Sequence, residues 1–450
     1  MFDRLLEWHS TLNAWVWGPY TMVLLMGTGL FLTLLTRGIQ FRKLMHALQE
    51  VLGGGPSMSA QKGTVSPFQA VSTALASTVG VGNIAGVATA ITLGGPGALF
   101  WLVVSGLLGM ATKFSEIVLA IAHRISDDSG TYRGGPMYVL RDLGLPWLGI
   151  LFALLTALAG LGIGNMVQAN SVAASLEASF GFEPHWTGIL IVVLTGAVIL
   201  GGIRRIAEVT QFLVPFMCVS YLVGAVFILV RYADRIPGVI ELVFQSAFTG
   251  HAAVGGFVGA GVLQTIRFGV ARGLFSNEAG LGSAPIVHAA ARTDDPVRQG
   301  FYGIFEVFVD TMLVCTATGF VILLTGEWTS GATGAALSAK AFETGLPGVW
   351  GDLIVTLGLV LFAYSTILGW SFYGETAASY LFGTRVIFPY RLIWLVFTFL
   401  GATGSLNLVW SISDTLNGLM AIPNLVALLA SGAVIKRAIA SFERKRAGSG

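Results

Sequence analysis

Apolar runs of bilayer-crossing length recur along this chain, each closed by charged or turn-forming residues. A helix needs about 20 largely apolar residues to cross the hydrocarbon core. Eleven runs meet that need, and they predict an all-α polytopic membrane protein with eleven transmembrane helices. Numbered as spans 0 to 10, they cover about 14–36, 67–93, 97–122, 147–178, 186–202, 209–231, 258–291, 300–325, 348–380, 386–402 and 406–436. All fall in a single transmembrane domain over 1–450. The stretch 237–256 is expected to lie on the external surface rather than to cross. The polar stretches 53–66 and 438–450 are expected as loop or short interfacial structure.

Composition agrees with this reading. The chain is 54% hydrophobic and only 11% charged, against about a quarter charged in soluble domains. Its 59 glycines suit closely packed membrane helices. The net charge of +2 says little, but its distribution fixes an orientation. With the N-terminus outside, cytoplasmic segments hold 18 of the 25 Lys and Arg, including a basic tail over 437–450. External segments hold only Arg4, Arg231, Arg235 and Lys340. The positive-inside rule therefore predicts N-terminus outside and C-terminus inside. Cys218 and Cys315 lie in apolar spans, so neither a disulfide nor a metal role is expected. No cleavable signal peptide is evident before span 0. No Walker motif, nucleophile elbow or zinc-spaced His/Cys set is present, so an enzyme, a cofactor and a nucleic-acid partner are not expected.

Span 0 stands apart as an extra N-terminal helix. The rest divides into spans 1–5, over 67–231, and spans 6–10, over 258–436. Five is odd, so the second half is inverted relative to the first. The first span of each half carries a close glycine pair, Gly80-Val81-Gly82-Asn83 and Gly280-Leu281-Gly282-Ser283. Glycine pairs weaken a helix. Broken helices in corresponding positions of inverted halves point to a transporter binding site. Spans 1 and 6 are therefore expected to be broken, in the five-plus-five layout of leucine-transporter-like folds.

A break at Gly80–Gly82 would present carbonyls from one half-helix and N–H groups from the other. A zwitterionic amino acid matches both, its carboxylate on the amides of Gly80, Val81 and Gly82. Asn83 would ligand an ion or cap the second half-helix. In span 6, Phe275 is a candidate pocket wall, and Ser276 and Asn277 are candidate partners of the substrate's amino or carboxyl group. Glu278 would either bind a cation or pair with Arg272 or Arg267, the structural pairing being favoured. In span 3, Gln168 is a candidate substrate contact, one turn from Asn165. In span 8, Ser365 and Thr366 offer hydroxyls to Na⁺, with Thr366 also near substrate, and Trp370 would close the pocket. Glu306, Asp310 and Asp414 are candidate proton relays. His288 is expected to be structural, and Lys113 to pair with Glu116.

Several stretches together resemble the alanine or glycine:cation symporter family, also called sodium:alanine symporters. They include Ser66-Pro67-Phe68-Gln69-Ala70, Ala74 through Val87, Gly109 through Glu116, Gly164 through Asn170, Arg272 through Gly280, and Ser365 through Trp370. The resemblance implies Na⁺-driven import of L-alanine or glycine, with D-alanine as a further candidate, by alternating access. A monomeric, multi-pass protein of the plasma membrane, the inner membrane in a bacterium, is expected. The resemblance also implies a Na⁺ site at the carbonyls of Ala76 and Val79, completed by the Ser365 and Thr366 hydroxyls, with Thr78 and Asn83 as further candidates. Where the family pattern commonly carries Thr, this chain has Val81, which keeps the amide and loses a hydroxyl. A proton-coupled symporter of the same fold is the near alternative; a sensor or channel is the distant one.

Overall fold

The computed structural model describes residues 10–53, 61–249, 261–404 and 407–447. The chain opens with α1 (Ser10–Leu35). Two short helices follow, α2 (Ile39–Arg42) and α3 (Leu44–Leu52). Next comes a bent pair, α4 (Pro67–Thr78) and α5 (Gly82–Gly94), whose axes differ by 52°. α4 starts sharply because Pro67 sits in its first turn and Ser66 and Gln69 form a reciprocal capping box. α6 (Ala98–Ala122) leads into a two-stranded hairpin, β1 (Ile125–Ser126) and β2 (Tyr132–Arg133), and then α7 (Pro136–Asp142). The first half closes with α8 (Pro146–Phe180), α9 (Pro184–Ile199) and α10 (Gly202–Arg231).

α11 (Ile236–Thr249) runs along α6, where Trp101 Nε1 donates to the Ala247 carbonyl at 3.1 Å. The remainder of the expected external stretch, 250–256, lies outside the described residues. α12 (Val262–Asn277) ends at a tight loop before the one-turn α13 (Pro285–His288). The first residues of span 6, 258–260, also lie outside the described residues. α14 (Pro296–Thr325), α15 (Gly334–Gly345), α16 (Trp350–Phe382), α17 (Ile387–Thr403), α18 (Asn407–Ala430) and α19 (Gly432–Ala447) complete the chain.

Eight of the described helices are long and apolar enough to cross a bilayer, and the bent α4–α5 pair makes a ninth. Expected spans 4 and 6 correspond to the shorter α9 and α12. Of the stretches expected as loop or short interfacial structure, 54–60 and 448–450 lie outside the described residues, while 438–447 belongs to the helix α19. Its apolar residues Ile439 and Phe442 pack with α3 on a small cluster around Phe114 and Phe301. Its many charges hide that face in a simple hydropathy reading. α15 falls outside every expected span, being too short and too polar to cross; Ser338 on it donates to the Ile84 carbonyl at 2.9 Å.

The arginine-rich end is closed by loops tied to one another. Arg124 donates to the carbonyls of Lys62, Ala289, Ala291 and Thr293. Arg133 joins Asp127 at 2.7 Å and Glu375 at 3.4 Å, and Arg391 holds Glu375 from its other side at 2.7 Å. Burial of Asp127 is outweighed by hydrogen bonds from Ser129, Arg133 and the Thr131 amide, which hold its carboxyl below the usual range.

Candidate functional site

The helix between Ser66 and Gly94 breaks where the glycines begin. Val79 turns to an extended ψ of 92°, and the α-helical ladder resumes only beyond Gly80. Asn83 stabilises the break: its Oδ1 accepts from the Gly80 N–H at 2.8 Å. A π-helical turn over Gly82–Gly86 follows. Two more π turns flank the same region, Gly160–Met166 in α8 and Phe308–Cys315 in α14. Such turns redirect side chains and are frequent at functional sites.

The break opens on a narrow cavity of about 20 Å³. Thr78, Gly80, Val81 and Gly82 form one wall. Gln168, Phe275, Thr366 and Trp370, all expected at the site, form others. α16 can approach because Gly164 and Gly80 lack side chains. A Cβ on Gly164 would sit 2.5 Å from Trp370, and one on Gly80 would sit 2.8 Å from the Thr366 hydroxyl. Val81, Gly82, Gln168 and Phe275 also border a larger vestibule of about 310 Å³, which extends to Arg272, Trp410 and Asp414. Phe275 thus stands between the two spaces, with the Arg272 guanidinium 5.7 Å above its ring.

The polar groups of the cavity are unevenly satisfied. Gln168 donates its Nε2 to the Ile163 carbonyl at 3.0 Å, which orients the amide. Its Oε1 is buried without a hydrogen-bond partner among the described residues, as is Asn417 Oδ1 across the cavity. Glu278 also lines the cavity. It accepts from Trp370 Nε1 at 2.9 Å and from the Ser283 hydroxyl. It forms neither of the pairings expected with Arg272 and Arg267. Three acceptors therefore converge where a cationic donor would be satisfied.

Behind the break, Ser365 donates to the Ala76 carbonyl at 3.0 Å and to the Phe362 carbonyl at 2.9 Å. Thr366 likewise donates to Phe362 at 2.9 Å. The structure thus joins Ser365 to Ala76 directly, and both hydroxyls are engaged with backbone carbonyls. Thr78 lines the cavity and its hydroxyl donates to the Ala74 carbonyl at 3.1 Å.

Three expected residues lie elsewhere. Ser276 donates to both oxygens of Asp310, at 3.1 and 3.0 Å. Asn277 donates to the Thr311 hydroxyl at 3.1 Å and accepts from the Ala279 amide. Both face α14 rather than the cavity, because α12 is still helical there and turns them away from Phe275. Asn83 donates to Asp310 Oδ1 at 2.6 Å, so it serves as a brace rather than an exposed ion ligand. Lys113 pairs with Glu306 at 3.2 Å rather than with Glu116, and His288 contacts Glu306 at 3.1 Å, a structural position. Asp414 accepts from Asn13 at 3.2 Å on the vestibule side.

Sequence reasoning missed Ser77, Ile163 and Asn417 as cavity residues. An amide in mid-span, as at Asn417, was the available signal.

Comparisons agree with this architecture. The model of the sodium:alanine symporter family matches residues 3–449. The sodium/alanine symporter AgcS of Methanococcus maripaludis is 48% identical, over 97% of each chain. A protein of Bacillus subtilis named a probable sodium/glutamine symporter, GlnT, is 36% identical, over 96% of this chain and 90% of its own. Among solved structures, a mutant form of the Eremococcus coleocola manganese transporter superposes with a TM-score of 0.52 at 15% identity, over 84% of this chain and 82% of that one. The many apolar helices make this a multi-pass membrane protein with a fold like that of this transporter, and the chain belongs to the sodium:alanine symporter family.

Proposed function

We propose that this protein is a sodium-coupled symporter that imports small neutral amino acids, alanine and glycine, by alternating access. The observation that carries this reading is the polarity of the cavity. Backbone amides of Val81 and Gly82 stand at the start of α5, the positive end of its dipole, and suit a carboxylate. The free acceptors Gln168 Oε1 and Asn417 Oδ1, with Glu278, suit an ammonium group. Trp370, Phe275 and Ile163 leave little space for a side chain beyond a methyl group. Na⁺ would sit at Ala76, Val79, Ser365 and Thr366, directly behind the residues that hold the carboxylate. The halves 67–231 and 258–436 would act as inverted repeats, with the vestibule facing outside and the arginine-tied loops closing the cytoplasmic side.

Radiolabelled alanine uptake into proteoliposomes tests this. Accumulation is expected only with an inward Na⁺ gradient, and competition should fall from alanine and glycine through D-alanine and serine to glutamine. Equal uptake without Na⁺ would refute sodium coupling, and strong competition by glutamine would refute the small-substrate reading. A second reading, proton coupling, is favoured by Asp310. This buried carboxylate receives only neutral donors, from Asn83, Ser276 and Thr311, and has no ion-pair partner within 4.0 Å among the described residues. Uptake driven by a pH gradient at zero Na⁺ would support it.

A further inference from the structure

Three cations from three elements surround one cavity at the end of α1. They are Arg37 in the turn after α1, Arg42 at the end of α2, and Lys436 on α19. The cavity measures about 370 Å³, and Leu35 and Ile439 give it an aliphatic floor. Among the described residues, Glu443 is the one carboxylate on its wall. It lies 3.7 Å from Arg42, with both side chains about half exposed, at 53% and 49%. Such a pair contributes little and leaves the cavity with excess positive charge. Arg37 and Lys436 have no ion-pair partner within 4.0 Å among the described residues.

Scattered basic residues are common where spans end, so charge alone would mean little. Two further observations separate this cluster from a solvated loop. Arg37 holds a left-handed backbone, φ 56°, at a helix end where glycine is the favoured residue. That conformational cost points to a use for the Arg37 side chain. Second, the cavity lies at the foot of an exposed apolar strip. Leu30, Phe31 and Leu34 on α1 are 50%, 40% and 70% exposed, and Phe41 beside the cavity is 60% exposed. An apolar strip ending in a cationic cavity matches one kind of molecule, an amphiphile with an anionic head.

We propose that this cavity binds the headgroup phosphate of an anionic phospholipid, whose acyl chains lie along the exposed face of α1. Arg37 and Arg42 offer forked donors to phosphate oxygens, and Lys436 adds a point charge from the opposite wall. The lipid would tie α1 to α19. Inorganic phosphate shares the headgroup chemistry but lacks the chains, so the test separates the two.

Native mass spectrometry of the full-length protein, released from micelles with added phosphatidylglycerol or phosphatidylcholine, reads retained lipid directly. Phosphatidylglycerol should be retained in preference. Each basic residue near a membrane surface accounts for about fivefold in affinity. Arg37→Gln with Arg42→Gln and Lys436→Gln should therefore cost about 100-fold, while Arg204→Gln with Arg205→Gln should cost nothing at this site. If the triple variant does not fold, Lys436→Gln alone, on an exposed helix face, should cost about fivefold. Equal retention of both lipids would overturn the proposal, as would undiminished retention by the variants. Displacement of the lipid by millimolar inorganic phosphate would overturn the lipid assignment. The readout needs neither substrate nor Na⁺, so it stands or falls apart from the transport reading.

Discussion

The two glycine pairs look alike in sequence and are used in opposite ways. At Gly80–Gly82 the backbone opens beside a cavity, neither glycine has a positive φ, and open space lies against the amides. At Gly280–Gly282 both glycines are left-handed, φ 92° and 84°, and the loop is packed solid. Gly280 donates its N–H to Glu116 at 3.0 Å, and its carbonyl accepts from Asn424 at 2.9 Å. Freed backbone groups inside a membrane are tolerated when they line a cavity or when protein satisfies them. The first break takes the former solution and the second the latter. A matched motif therefore identifies where helices unwind, while the surrounding side chains decide whether a ligand can use the opening.

Valine at each first glycine gives the sharpest test of that contrast. Gly80→Val should abolish uptake, by about 100-fold or more, because a Cβ there meets the Thr366 hydroxyl at 2.8 Å and displaces the substrate carboxylate. Thermal stability should fall less than for the Gly280 variant, since Gly80 has no positive φ and the atom nearest the added Cβ is a side-chain hydroxyl rather than backbone. Gly280→Val forces a β-branched residue into a left-handed conformation and drives its Cβ to 2.6 Å from Leu25. It should cost about 1–3 kcal/mol of stability or more, seen as lost monodisperse protein before any transport assay. The comparison fails if the two variants behave alike.

Ser365→Ala probes what lies behind the first break. It removes the hydroxyl that reaches the Ala76 carbonyl at 3.0 Å. The Na⁺ concentration for half-maximal uptake should rise about tenfold, the worth of roughly 1.4 kcal/mol of ligation, with little change in maximal rate at saturating Na⁺. An unchanged Na⁺ dependence would remove Ser365 from the ion site.

Much of this organisation was legible in the chain. Uninterrupted apolar runs identify spans because every backbone group in lipid must be satisfied within a helix, and Ser66 and Pro67 mark the start of α4 on sight. The break at Gly80 was legible for the same local reason. Helix phase across a break was not. Phe275, Ser276 and Asn277 are adjacent in sequence, yet only Phe275 faces the cavity, because α12 continues to Asn277 and turns the next two side chains toward Asp310 and Thr311 of α14. Partner choice among buried charges was equally hidden. Lys113 reaches Glu306 on α14 instead of Glu116 three residues away, since α6 and α14 pack closely where Gly303 lies against Lys113. Asn417 shows the converse case: a mid-span amide visible in sequence whose value depends on the cavity opposite.

Trp370→Phe tests whether the cavity wall is held by Glu278. The ring volume changes modestly, but the Nε1 donor to Glu278 at 2.9 Å is lost. Apparent affinity for alanine should fall about threefold to tenfold, and serine should compete better as the wall loosens. Unchanged competition by larger amino acids would separate Trp370 from selectivity.

Asn277→Ser carries the smallest expected effect on transport and isolates the second break. Asn277 touches Thr311 and the Ala279 amide, both away from the cavity. Serine retains a short hydroxyl that can still accept from that amide, while the reach to Thr311 is lost. The expected result is a stability loss of about 0.5–1.5 kcal/mol, with the KM for alanine changed by less than about twofold. A large KM increase without a stability change would place Asn277 at the substrate after all. It would mean that α12 rotates during transport to bring its polar face into the cavity, so that the packed second break of this structure opens in another state of the cycle.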